Sequence, residues 1–274
     1  MVTRKSASWV SYLFLGTFGV LMAFPFFWMI SSSLKPASDI LAFPPTLLPL
    51  RPTLLNYAKA VSKLNIPVLY RNSVLITAAY TVLTVFIGSI LGYQFGKFEF
   101  KGKGVIFVIL LGTLVVPKDV YVIPLYLLMN SLGLIDTFLS VILPFAFSAY
   151  GVFLVRQYVH SIPDDLIAAA RVDGYGETRI FFHIVLPLMK PALSALAIFY
   201  LLYQWNDFFW PLVMLNSPDK FTLAIGLANF VGEHFADYGT SLAGAAFSIV
   251  PMLIAFLLLQ KYIMAGIALT GLKG

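Results

Sequence analysis

The sequence contains no cysteine, which excludes disulfide bonds, thiol nucleophiles and cysteine-ligated metal sites. Charged residues are also scarce. They make up 11% of the 274 residues, whereas a soluble domain carries about a quarter. Hydrophobic residues account for 60% instead. The net charge of +6 is scattered among apolar segments, which argues against a nucleic-acid partner and for loops that flank membrane spans. The composition therefore predicts a polytopic membrane protein in contact with lipid.

The groupings of side chains that catalysis needs are missing as well. His160, His183 and His234 lie far apart without a helically spaced second ligand, so we expect no metal site. No serine, histidine and acid stand at a spacing that suggests hydrolysis. The segment from Gly92 to Phe98 is one residue too short for a phosphate-binding loop and has Phe98 where Ser or Thr is required. We therefore expect neither enzymatic activity nor a cofactor in this chain.

Six apolar runs predict six membrane-spanning helices in an all-α fold, because each is close to the ~20 residues that cross a bilayer. The predicted spans are Trp9 to Ile30, Asn72 to Phe95, an interrupted span from Val105 to Met129, Phe138 to Val155, Ala192 to Val213 and Leu242 to Met264. The loop at 97–104 is short and basic, which indicates the cytoplasmic side. Residues 37–70, with a short helix around Leu54 to Ser62, and residues 216–241 are then external. Both termini are expected to be cytoplasmic.

Small residues recur every fourth position in the second predicted span, at Thr84, Gly88, Gly92 and Gly96. Such a stripe permits close approach of a neighbouring helix. The alternative is that glycine is simply common in membrane helices.

Polar residues interrupt two of the spans. Pro117, Lys118, Asp119 and Pro124 break the third, either because a broken helix lines a cavity or because the span ends near Pro117 and Lys118 is outside. The fifth contains Gln204, Trp205, Asn206 and Asp207, whose amides, aromatic face and carboxylate suit a polar solute. We take these four residues and Asp119 as candidates for lining a translocation path. A contact with a neighbouring helix and an interfacial position are the alternatives for Asp207.

The longest polar stretch that still has a helical pattern is residues 161–191, SIPDDLIAAARVDGYGETRIFFHIVLPLMKP, which we call the polar hairpin. Its first helix is predicted from Pro163, tolerated in a first turn, to Val172, with Gly174 and Gly176 as the stop. A second helix is predicted from Glu177 to Leu186, ended by Pro187 and Pro191. Its apolar side comprises Ile180, Phe181, Ile184 and Leu188, and its polar side Arg179, His183 and Lys190.

The polar hairpin resembles the cytoplasmic "EAA" loop of permease subunits in ATP-binding-cassette (ABC) importers, with the pattern EAA-x3-G-x9-IxLP. The matching positions are Ala169, Ala170, Asp173, Gly174, Ile184, Leu186 and Pro187. Ala168 stands where the family has glutamate. The resemblance implies that Ala168, Ala169, Ala170, Asp173 and Gly174 dock into the ATPase subunit and transmit its closing motion. The missing carboxylate removes one contact of that dock.

Other stretches resemble the carbohydrate-uptake branch of these permeases, on the maltose-permease pattern. They are PFFWMISSSLKP, YRNS, PLYLLMNSLGLIDT, WNDFFWPL and the C-terminal G-x-K-G. The resemblance implies a single permease domain over residues 1–274 with the type I ABC importer fold, in a bacterial or archaeal cell membrane. It also implies three kinds of partner: an ATPase dimer that binds the ATP, a second and different permease chain, and an extracytoplasmic sugar-binding protein. A stand-alone secondary transporter or channel and a membrane-embedded enzyme are the alternative functions.

Overall fold

The computed structural model describes the backbone of residues 9–233 and 237–270, and this part of the chain is helical without a strand. His234 and the C-terminal Gly-x-Lys-Gly ending, which the sequence analysis discussed, lie outside the described residues. The α-helices are α1 (Trp9–Ser33), α2 (Ala37–Ile40), α3 (Leu55–Lys63), α4 (Ile66–Lys97), α5 (Lys103–Gly112), α6 (Val122–Ser131), α7 (Phe138–Ala146), α8 (Ala149–Val159), α9 (Asp164–Val172), α10 (Glu177–Ile180), α11 (Leu186–Leu188), α12 (Lys190–Asn206), α13 (Phe209–Met214), α14 (Leu223–Glu233) and α15 (Tyr238–Thr270).

Three helices are long and apolar enough to cross a membrane unaided: α1, α4 and α15. Three bent helical pairs also pass that test. α5 and α6, with the 3₁₀ turns between them, are bent by 95°, α7 and α8 by 45°, and the segments Glu177–Leu188 and Lys190–Asn206 by 77°. Counting each pair as one span gives six. The all-α, multi-pass fold class is therefore confirmed.

The boundaries of the helices differ from the predicted ones in places where a polar stretch of sequence is helical. α4 begins at Ile66 rather than Asn72, with Pro67 in its first turn, where the missing N–H is not needed. Asn72 and Ser73 are buried, and hydrogen bonds satisfy their side chains. The Asn72 amide donates to the carbonyls of Asp219 and Phe221 at 2.8 and 3.0 Å. Ser73 Oγ accepts from Leu223 N at 2.7 Å. The loop predicted at 216–241 contains α14.

Two predicted spans are each divided. The fourth continues to Val159 but breaks between α7 and α8, where Phe147 has an extended backbone and the Ser148 side chain caps α8 by accepting from Gly151 N. The fifth ends at Asn206 rather than Val213, because Asp207 is extended, at φ −69° and ψ 120°, and α13 follows as a separate short helix. Asp207 therefore lies at the end of α12 and not inside a continuous helix.

The chain folds as two compact units. One consists of residues up to 67 and 226–250. In it the buried Asn56 of α3 donates to the carbonyls of Ser33 and Lys35, both at 2.8 Å, so that α3 is held to the end of α1. The Tyr57 and Phe247 rings meet edge to face with centroids 5.5 Å apart, which packs α3 on α15.

The second unit, residues 68–225 and those after 250, contains the polar hairpin and both interrupted spans. Its core depends on the close approach of α4 and α8. A Cβ at Gly92 would lie 2.5 Å from Val155 Cβ, and one at Gly96 would lie 2.7 Å from Val159 Cγ1. The small-residue stripe is thus a helix-packing surface, as predicted.

A cluster that the sequence analysis did not identify fixes the turn after α6. Asp136 binds the Lys220 ammonium at 2.7 Å and the Ser217 amide at 3.0 Å. These hydrogen bonds hold the pKa of the Asp136 carboxyl well below its usual range. The signal was not visible in the sequence because the partners are 81 to 84 residues apart.

Candidate functional site

The first helix of the polar hairpin, α9, begins directly after Pro163, which is its N-cap rather than a residue of its first turn. Asp164 and Asp165 occupy that turn, where the helix dipole favours carboxylates. A hydrogen bond from the Lys97 ammonium lowers the pKa of the exposed Asp164 carboxyl. The helix ends in a Schellman motif, in which Gly174 N donates to Arg171 O and Tyr175 N to Ala170 O, each at 3.0 Å. Gly174 has φ +80°, so it terminates the helix as predicted.

The residues expected to dock lie mostly on one exposed surface. Ala168, Ala169, Asp173 and Gly174 are exposed, whereas Ala170 is buried at 5% exposure and packs into the core of the unit. Val172, on the same helix, is 87% exposed. Val172 thus adds an apolar side chain to the exposed surface that includes Ala168 and Ala169. That these residues dock onto an ATPase stays a prediction.

The second helix of the polar hairpin does not end at Pro187 as predicted. A π turn, Phe181–Val185, precedes it, with Leu186 N donating to Phe181 O, and the helix continues through Pro187 to Leu188. A proline has no N–H and clashes with the carbonyl four residues earlier, and the wider turn before Pro187 gives that carbonyl more room. The bend before α12 comes only at Met189.

The π turn also corrects the predicted apolar side of this helix. Its buried residues are Ile180, Phe181, Val185 and Met189, whereas Ile184 is half-buried and Leu188 is exposed. One extra residue in the turn moves the buried side on by one position, from 184 and 188 to 185 and 189. Arg179, His183 and Lys190 are exposed, as predicted.

Two contacts brace the turn between α9 and α10. Arg171 Nε lies 2.6 Å from Glu177 Oε1, and the Arg179 guanidinium lies 4.2 Å from the centroid of the Tyr175 ring. Arg171 and Glu177 are both nearly half exposed, so their bridge contributes at most about 1 kcal/mol. Its main effect is to fix the relative direction of the two helices.

The charges in the interrupted spans form an ion pair that the sequence analysis did not anticipate. Lys118 Nζ lies 3.6 Å from Asp207 Oδ1 and 3.2 Å from the Tyr203 hydroxyl, and 5.3 Å from the Tyr203 ring centroid. The Asp207 side chain is only 6% exposed, and that of Lys118 is 36% exposed. Burying a carboxylate is costly unless it is paired, and Lys118 provides the pairing. The sequence did contain a signal for this pair, namely a lysine in the third predicted span and an aspartate in the fifth.

The other candidate path residues do not all join this pair. Asp119 is exposed, and it is Lys118 beside it that reaches Asp207. Trp205 meets the Tyr70 ring edge to face at 5.8 Å, and the Asn206 amide donates to Leu202 O at 2.7 Å. Gln204 is buried, and no described residue hydrogen-bonds its Nε2. The break in the third span is present, with 3₁₀ turns at Thr113–Val115 and Lys118–Tyr121, but its depth in the bilayer stays a prediction.

Residues 1–267 match the protein family described as "binding-protein-dependent transport system inner membrane component". The chain is 39% identical over 266 residues to the arabinooligosaccharides transport system permease protein of Bacillus subtilis (strain 168), covering 96% of this chain and 94% of that protein. It is 32% identical to the lactose transport system permease protein of Rhizobium radiobacter, covering 96% of each. Among solved structures, a chain of a bacterial ABC transporter involved in the import of the acidic polysaccharide alginate matches with a TM-score of 0.84 and 27% identity, covering 92% of this chain and 95% of that one.

Replacing Gly174 by valine should destabilise the polar hairpin. Any L-residue in the left-handed region costs roughly 1–2 kcal/mol, and a β-branched one more. We expect a lower melting temperature of the purified protein in detergent and faster tryptic cleavage within the hairpin. The matched control is Gly176→Val, since Gly176 has an ordinary extended backbone and both glycines have open space around them. Equal melting and cleavage of the two variants would contradict the role of Gly174.

Proposed function

This chain belongs to the family of binding-protein-dependent transport system inner membrane components, and on that premise we propose that it is a permease subunit of an ABC importer for sugars or sugar derivatives. The observation that carries the proposal is the family match over residues 1–267 together with the polar hairpin at the position of the EAA loop. Membership of a transport family favours this reading over an enzyme or a stand-alone transporter or channel.

A saccharide cargo is supported by the names of the relatives, which refer to arabinooligosaccharides, lactose and alginate. The chemistry of the second unit is compatible with it. Tyr203 offers an aromatic face and a hydroxyl beside the Lys118–Asp207 pair, and such groups hydrogen-bond and stack on sugars. We propose that the path accepts an oligosaccharide.

We propose three protein partners. The first is an extracytoplasmic binding protein that delivers the sugar. The description of the family as part of a binding-protein-dependent transport system supports this partner. A second, different permease chain completes the path, and two ATPase subunits bind the ATP, for which this chain has no motif. The exposed surface of α9, with Ala168, Ala169 and Val172, is the docking site of one ATPase.

The orientation follows from the ATPase, which is cytoplasmic. Both termini, residues 97–104 and the polar hairpin then face the cytoplasm, and α3 faces outside. Because the chain has no cysteine, single cysteines report each side without a background. An impermeant maleimide added to intact cells should label Ser62→Cys and spare Lys101→Cys and Thr178→Cys, all at exposed positions. Labelling of the latter two from outside would overturn the orientation.

We further propose that the Lys118–Asp207 pair lies beside the translocation path. Asp207→Leu should then reduce sugar uptake per assembled complex, while assembly survives, since one polar contact within a membrane protein is worth only about 1 kcal/mol. The double variant Lys118→Met/Asp207→Leu tests the alternative. If the pair serves only to neutralise a buried charge, removing both partners restores uptake, and the path assignment fails. Radiolabelled sugar uptake, normalised to complex on blots, provides the measurement.

The function itself is tested by reconstituting the coexpressed permease pair, ATPase and binding protein in liposomes. Arabinooligosaccharides, lactose and uronate oligosaccharides are added in turn with the binding protein. We expect ATP hydrolysis to rise with at least one saccharide and only when the binding protein is present. No stimulation by any of the three classes would contradict a saccharide importer.

A further inference from the structure

The last residue of α4, Lys97, is bound to the polar hairpin. Its side chain is only 7% exposed, and its Nζ lies 2.6 Å from Ile162 O and 2.6 Å from Asp164 Oδ1. These two acceptors flank Pro163, the N-cap of α9. A cation so nearly buried is costly unless it is paired, and both of its contacts lie in the hairpin, at separations of 65 and 67 residues.

The start of α9 is also bound from outside the hairpin. Pro163 makes no side-chain capping bond, so the helix has no cap of the kind that serine or aspartate would supply. The Lys97 ammonium can only donate and does not replace such a cap. It binds the carbonyl that precedes Pro163 and the carboxylate that follows it. The position of the first turn of α9 is therefore set by α4 and not only by its own sequence.

A second contact lies one turn earlier on the same side of α4. The buried Tyr93 has its hydroxyl 3.5 Å from Glu177 Oε2, and Glu177 is the first residue of α10. Residues four apart on a helix share a side, so Tyr93 and Lys97 face the hairpin together. The last two turns of α4 therefore contact the beginnings of both hairpin helices, and Glu177 is also bridged to Arg171 of α9.

α4 connects these contacts to the candidate path. It has 32 residues and is about 48 Å long. Midway along it, the Tyr80 ring meets the Tyr200 ring of α12 at 5.9 Å, and near its other end Tyr70 meets Trp205 at 5.8 Å. Trp205 is two residues from Asp207. One helix thus contacts the hairpin at one end and the neighbourhood of the Lys118–Asp207 pair at the other.

We propose that Lys97 is a positioning residue that fastens the polar hairpin to α4, so that displacement of the hairpin by the ATPase moves α4 and, through it, the path. This inference rests on the proposed function, because it requires an ATPase docked on the hairpin. Gly92 and Gly96 bring this end of α4 into close contact with Val155 and Val159 of α8.

The test is the number of sugar molecules taken up per ATP hydrolysed in proteoliposomes that contain the whole complex. We expect Lys97→Met to lower this ratio about tenfold, the scale of one lost charge-assisted hydrogen bond. Lys97→Arg should retain most of it, since a guanidinium can reach both oxygens. Lys103→Met is the matched control, because Lys103 pairs with Glu99 four residues away and not with the hairpin, and its ratio should be unchanged.

A purely structural role for Lys97 predicts a different result, namely poorer assembly with an unchanged ratio in the complexes that do assemble, and that result overturns the proposal. If Lys97→Met fails to assemble at all, Asp164→Ala decides, since the Asp164 side chain is 84% exposed and its loss threatens folding little. A native ratio in Asp164→Ala would then refute the link. Failure of the native complex to respond to sugar would instead refute the proposed function.

Discussion

Lipid offers no hydrogen bonds, so a chain of this composition must satisfy its polar groups internally, and the rest of the structure follows from that requirement. It explains why the described chain is helical, and why irregular backbone is confined to a few breaks. At each break a side chain or a special residue compensates. Ser148 caps α8, a π turn makes room for Pro187, and Lys118 neutralises Asp207 beside the extended end of α12. The polar sites are therefore also the places where the helices bend.

The features that were predictable from sequence are those that depend on neighbouring residues. The helix-turn-helix of residues 161–191, its left-handed stop at Gly174 and the glycine stripe of α4 follow from local patterns, because propensity, capping and i, i+4 spacing act within a few turns. The resemblance to the EAA loop could be recognised for the same reason, because it rests on residues within one short stretch of the chain. The burial of Ala170 was not predicted, since the resemblance grouped it with the exposed Ala168 and Ala169.

What could not be predicted depends on residues that are distant in the chain or on a small change of helical register. The pairing of Lys118 with Asp207, the clamp on Asp136 and the contact of Lys97 with Asp164 join residues more than sixty positions apart. The apolar side of the second hairpin helix was predicted one residue out of place because a regular α-helix was assumed. Proline was treated as a stop, although the helix continues through Pro187 after a widened turn.

The pairing in the interrupted spans has an electrical consequence. A single unpaired charge that moved through the membrane potential would contribute about 2.3 kcal/mol per 100 mV. Lys118 and Asp207 together carry no net charge, so a motion that carries both in the same direction transfers no charge across the voltage. The pair itself can therefore move in this way without being driven or opposed by the membrane potential.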